Sequence, residues 1–115
     1  MKINASDCNF SLTCLPEDSG PEGHFASGDD DMDREDCAAI RADYDSGNDW
    51  AWCVAKVTAT WRGLSADAYL GGCSYASEAD FRAGGYYDDM CAECLADLQV
   101  QADNIGAAYL NHCGA

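Results

Sequence analysis

The sequence predicts an α+β fold: a small antiparallel sheet of two to four strands, packed by a long C-terminal helix, with a short acidic helix at one end. Three observations lead there. Residues 50–61 read W-A-W-C-V-A-K-V-T-A-T-W, a run of aromatic, β-branched and small residues that suits a pleated strand. Residues 68–75, A-Y-L-G-G-C-S-Y, repeat that character after a turn at Arg62-Gly63-Leu64-Ser65, so an antiparallel hairpin follows. From Tyr86 to about Leu110 the apolar residues recur at helical spacing instead.

In order along the chain, Phe10, Leu12 and Cys14 alternate with Ser11 and Thr13, which predicts a short strand over 10–15 that Pro16 ends. Residues 16–28 hold both prolines and several glycines and read as a flexible surface loop. Residues 29–49 carry nine acidic side chains against two basic ones. Within them Cys37, Ile40 and Tyr44 stand at helical spacing, predicting a helix over 34–45 with Asp33 as its N-cap and Ser46-Gly47-Asn48 as its stop. In the Trp50 strand, a period of two puts Trp50, Trp52, Val54, Lys56, Thr58 and Thr60 on one face. Ala51, Cys53, Ala55, Val57, Ala59 and Trp61 form the other, a small-residue bed for a helix. Gly71-Gly72 marks a bulge or a close backbone approach in the second strand. A helical turn is expected at 77–82. In the final helix Tyr87, Cys91, Cys94, Leu95, Leu98, Ala102, Ile105 and Tyr109 share a sector roughly 100° wide, with Asp89, Glu93 and Asp97 on the far side.

A chain of 115 residues holds one domain, 1–115, with one core. Its formal charge of −15, from 21 acidic and 6 basic side chains, argues against direct contact with nucleic acid or an anionic membrane and favours a basic partner. Residues 1–10 show neither an apolar h-region nor a cleavage site, so the expected location is cytoplasmic and the eight cysteines are expected as reduced thiols filling space. No run of about eighteen apolar residues crosses a bilayer.

Several motifs carry chemical expectations. Cys91-Ala92-Glu93-Cys94 has redox-pair spacing, but the flanking Asp88, Asp89 and Glu93 disfavour a thiolate. Zinc would need Cys91, Cys94, His112 and Cys113 together, and a continuous helix separates Cys91 from His112 by about 30 Å; a break near 104–106, or ligands among Cys8, Cys14, His24 and Cys37, would be required. The acids of 29–36 alternate like a calcium loop, yet Arg34 stands where that loop needs glycine and Ile40 where it needs glutamate. G-G-C-S-Y is not a nucleophile elbow, and only His24 and His112 could serve as a base. No cofactor and no catalytic residue is expected.

The runs W-A-W-C-V-A-K-V-T-A-T-W-R-G-L, Y-L-G-G-C-S-Y-A-S-E-A-D-F and G-G-Y-Y-D-D-M resemble a group of small acidic accessory proteins of tailed bacteriophages and prophages. The resemblance covers residues 50–98 and brings no activity with it. It implies the cytoplasm of an infected bacterium. With the charge, it leads to an expected function: a phage-encoded inhibitor of DNA-mimic type, anti-restriction or anti-CRISPR-like, that binds a basic, nucleic-acid-binding host defence protein. Its expected contact residues are Asp29, Asp30, Asp31, Asp33, Glu35, Asp36, Asp89, Glu93 and Asp97. The alternatives are an interaction module, homodimeric through the hairpin edge, that uses an aromatic patch of Trp50, Trp52, Tyr75, Tyr86 and Tyr87, or a zinc or thiol site protein.

Overall fold

A computed structural model describes residues 2–18 and 30–113, with side chains described for 2–18 and 34–106. Most of the expected loop, and Asp29, lie outside the described residues. Strand β1 (Asn9–Leu15) pairs antiparallel with β2 (Cys53–Trp61), which pairs antiparallel with β3 (Leu64–Cys73), in the order β1-β2-β3. Helix α1 (Asp30–Asp45) falls between β1 and β2, and α2 (Glu78–Ala83) and α3 (Tyr86–Cys113) follow β3. The architecture is α+β, with α3 laid across one face of a three-stranded sheet.

The hairpin turn is tighter than the sequence suggested. Trp61 pairs with Leu64, leaving Arg62 and Gly63 alone in the turn, with φ of 47° and 82°. Positive φ at both central residues is the type I′ geometry, whose twist matches the strands it joins. The Arg62 guanidinium lies 4.8 Å above the Trp61 ring. Further along, pairing steps from Cys53–Cys73 to Ala55–Leu70, so β3 accommodates an extra residue at Gly71-Gly72. Gly72 has φ of 64°, and its N–H donates to the Glu17 carboxylate at 2.8 Å. A Cβ at Gly71 would stand 3.1 Å from that same carboxylate. The glycine pair thus serves as bulge and as close approach together.

Alternation along β2 sorts the two faces. Cys53, Ala55, Val57 and Ala59 are buried, and Phe10, Leu12 and Cys14 of β1 and Ala66 and Ala68 of β3 join them. Four alanines on this face let α3 settle close, and Met90, Cys94 and Leu98 fill the gap. Met90 was not among the expected core residues. The opposite face presents Ser11, Thr13, Lys56, Thr58 and Asp67 to water, as antiparallel sheets often do. Thr58 donates to Asp67 at 2.7 Å across the strands. At the end of the sheet, Phe81 is fully buried, stacked on Trp50 (centroids 5.1 Å apart) and edge-on to Tyr75 (5.0 Å).

Three local expectations are corrected. The strand starts at Cys53, because Asp49–Ala51 is a 3-10 turn that turns Trp50 toward Phe81. Helix α1 begins at Asp30, so Asp33 lies in its first turn and is not the N-cap. Ile105 is exposed: the last described tie from α3 to the sheet is Gln101 Nε2 to the Ser65 carbonyl, 2.9 Å, beside the hairpin turn. The helix then continues for about 18 Å past the sheet. This overhang contributes to an elongated shape of 67 × 26 × 21 Å. Tyr109 lies outside the residues whose side chains are described.

Candidate functional site

The acidic residues singled out from the sequence separate into two sets. Asp89, Glu93 and Asp97 are exposed on α3, each one residue before Met90, Cys94 and Leu98, so the acidic row flanks the face that packs against the sheet, turned from it by about 100°. Spaced i, i+4, they form a row with steps of about 6 Å. Among the described residues their carboxylates make no side-chain hydrogen bond or ion pair. Glu35 and Asp36 are exposed on α1, and Asp30, Asp31 and Asp33 belong to the same helix. Helix α1 packs on the Asp49–Ala51 turn at one end of the sheet, whereas α3 lies along β2 and β3. The two acidic sets therefore occupy separate elements.

Asn48 ties α1 to the body, a role the sequence reading missed. Its Oδ1 accepts the Trp50 N–H at 3.1 Å, and its Nδ2 donates to the Asp43 carboxylate at 2.9 Å and the Tyr75 carbonyl at 3.1 Å. One side chain links the helix, the turn and the chain leaving β3. Only its position after Ser46-Gly47 hinted at a capping function.

Several cations rest on aromatic rings. Lys56 Nζ lies 5.5 Å from the Tyr69 centroid, and the Arg82 guanidinium 4.6 Å from that of Tyr87. Arg82 also pairs with Glu78 at 3.5 Å, an exposed contact of small energetic weight.

The Cys91/Cys94 pair lacks the electrostatics of a redox motif. Burial pushes both thiols up, with Asp88 adding to the effect at Cys91, and Cys91 and Glu93 at Cys94. Cys94 is buried and donates to the Val57 carbonyl at 3.6 Å, while Cys91 is half-buried. Helix α3 runs unbroken through Gly106, so Cys91 and Cys94 stay far from His112 and Cys113 along one rod. The acidic run from Asp30 onward is regular helix, not the loop that a calcium site of that spacing needs. Among the described residues no group of three or more His, Cys, Asp or Glu could hold a metal ion.

Most of the expected aromatic patch is incorporated into the fold. Trp52 is buried, and Trp50, Tyr75 and Tyr87 are half-buried against the core; Tyr86 remains exposed, as does Tyr69, which was not in that set. A different grouping, invisible in the sequence, gathers one thiol from each strand. Cys14 pairs in register with Ala55, two residues along β2 from Cys53, and Cys53 is the cross-strand partner of Cys73. Cys14 is half-buried and lines a pocket of about 130 Å³ with Leu15, Pro16, Tyr44, Asp49 and Trp52. Comparison with protein-family models, curated proteins and solved structures finds no match to this chain. No helix among the described residues is long and apolar enough to cross a membrane.

Proposed function

We propose that this chain is a phage-encoded acidic inhibitor that binds a basic, nucleic-acid-binding host defence protein in the cytoplasm of the infected cell, occupying the groove meant for nucleic acid. The single observation that carries the reading is the α3 row: Asp89, Glu93 and Asp97, exposed, evenly pitched and free of described ion pairs. Duplex DNA offers its own charges in rows, one per about 1.7 Å of axis over both strands, and a competitor needs carboxylates held at regular intervals. The acids of α1 supply a second set. The net charge of −15 supports attraction to a basic surface, and the resemblance of residues 50–98 to phage accessory proteins supports the setting.

The experiment is capture from bacterial lysate on the immobilised chain at low and high ionic strength, with competition by duplex DNA. The expected result is a nucleic-acid-binding protein that DNA displaces and salt weakens. The variant Asp89→Asn/Glu93→Gln/Asp97→Asn loses most of that capture. Undiminished capture by this variant removes the reading. A homodimer through the outer edge of β3 is the second reading, favoured by Tyr69, which is 59% exposed on that strand; light scattering would show a dimer indifferent to salt.

A further inference from the structure

The pocket of about 130 Å³ introduced above stands where α1, the Asp49–Ala51 turn and the end of β1 meet. Three segments build its wall: Cys14, Leu15 and Pro16 as β1 ends, Tyr44 from the last turn of α1, and Asp49 and Trp52 at the start of the turn and just after it. Direct bonds hold these segments together. The Cys14 Sγ donates to the Asp49 carbonyl at 3.5 Å, and Asn48 joins Asp43 of α1 to the backbone of the turn. The lining is chemically lopsided. Trp52, buried, and Tyr44, 40% exposed, supply two aromatic side chains. Asp49 supplies the one formal charge, because burial pushes the Cys14 thiol up and keeps it neutral at pH 7. Neither Lys, Arg nor His lines the pocket, and among the described residues no cation pairs with the Asp49 carboxylate.

We propose that this pocket binds a methylated ammonium group, with Trp52 and Tyr44 as its aromatic walls and Asp49 as its counter-charge. Size and chemistry both select that ligand. An apolar cavity of roughly 150 Å³ accepts benzene, so this one has room for the smaller trimethylammonium group. Such a cation is attracted to aromatic faces and, having no N–H, leaves no donor unsatisfied among them. A primary ammonium is a compact, strongly hydrated charge that needs several acceptors. The pocket has few: the carboxylate of Asp49, and a backbone carbonyl that already accepts from Cys14. An anion meets Asp49 and the overall charge of −15, and a neutral group of the same shape gains nothing from that carboxylate. The occupant touches α1, the turn and β1 together, so it braces the helix that the rest of the fold holds least. The site is independent of the α3 carboxylates, because its lining comes from other elements.

The test titrates the full, reduced chain with tetramethylammonium, choline and the N-acetyl amide of trimethyllysine, followed by amide NMR shifts at constant ionic strength. Saturable shifts at residues 14–16, 44 and 49–52 are expected, with slower hydrogen exchange in α1 at saturation. The neutral isostere 3,3-dimethylbutan-1-ol binds about tenfold more weakly. Asp49→Asn, which keeps the shape and the backbone carbonyl, weakens tetramethylammonium by a similar factor, and Tyr44→Leu weakens it as well; circular dichroism verifies that both are folded. The triple variant Asp89→Asn/Glu93→Gln/Asp97→Asn removes three charges yet leaves binding in place, which separates a local site from the general field of an acidic protein. Tighter binding of choline assigns the pocket to a free small molecule, and tighter binding of the trimethyllysine amide to a modified side chain. Shifts that do not saturate, equal binding of the neutral isostere, undiminished binding by Asp49→Asn, or an equal loss in the triple variant overturns the proposal.

Discussion

Helices α1 and α3 are both acidic, yet the molecule holds them in different ways. Helix α3 buries Met90, Cys94 and Leu98 along the alanine-rich face of the sheet, so its outer row of carboxylates is fixed by a packed inner face. Helix α1 has one buried residue among those whose side chains are described, Cys37, and packs on a single turn held by Asn48. The difference teaches that acid content alone does not make a rigid charged surface. A helix keeps its charges in register only when its other side is anchored.

The largest way to break this comparison is to remove the anchor of α3. Leu98 is fully buried, and Leu98→Ala is expected to cost about 3 kcal/mol through lost burial and the cavity left behind. Urea denaturation measures it, and a loss under 1 kcal/mol would show that α3 does not depend on its inner face. A smaller effect belongs to the other helix. Asn48→Ala removes the tie between Asp43, Trp50 and Tyr75, and should cost about 1–2 kcal/mol. Hydrogen exchange should then quicken in α1 and leave α3 protected; equal loosening of both would erase the distinction. The mildest probe perturbs nothing. Iodoacetamide should label Cys37 before Cys94, because local opening of α1 exposes the former while the latter waits for α3 to leave the sheet. Burial, followed by Cys91 and Glu93, holds the Cys94 thiol above its ordinary 9.0. Its thiolate fraction at pH 8 is thus lower than a free thiol's and rises only at more alkaline pH.

The periodic parts of the fold were legible in the sequence. The alternation in residues 53–61 and the helical sector of residues 87–102 each report a single buried face, and a face repeats with the geometry of its own element. Gly71-Gly72 announced its bulge because glycine tolerates the positive φ observed at Gly72. Boundaries were less legible. Trp50 looked like strand by residue type, but stacking on Phe81 from a distant helix turned it aside. Ile105 continued the apolar sector past the point where the sheet ends, and nothing local in the sequence says how long the partner surface is. Of the candidate site, the exposed positions of Asp89, Glu93 and Asp97 followed from helical spacing. The gathering of Cys14, Cys53 and Cys73 did not, because it depends on strand register.

The sequence by itself determined the class of fold, the two faces of β2, the bulge glycines and the pitch of the α3 carboxylates, since all of these are set within a few residues along the chain. Only the tertiary structure decided that α1 stands apart from α3, that Asn48 joins three segments, and that a thiol from each strand comes to one end of the sheet. Those features depend on which residues far apart in sequence come into contact. That choice is made by the burial of whole faces, which local pattern does not encode.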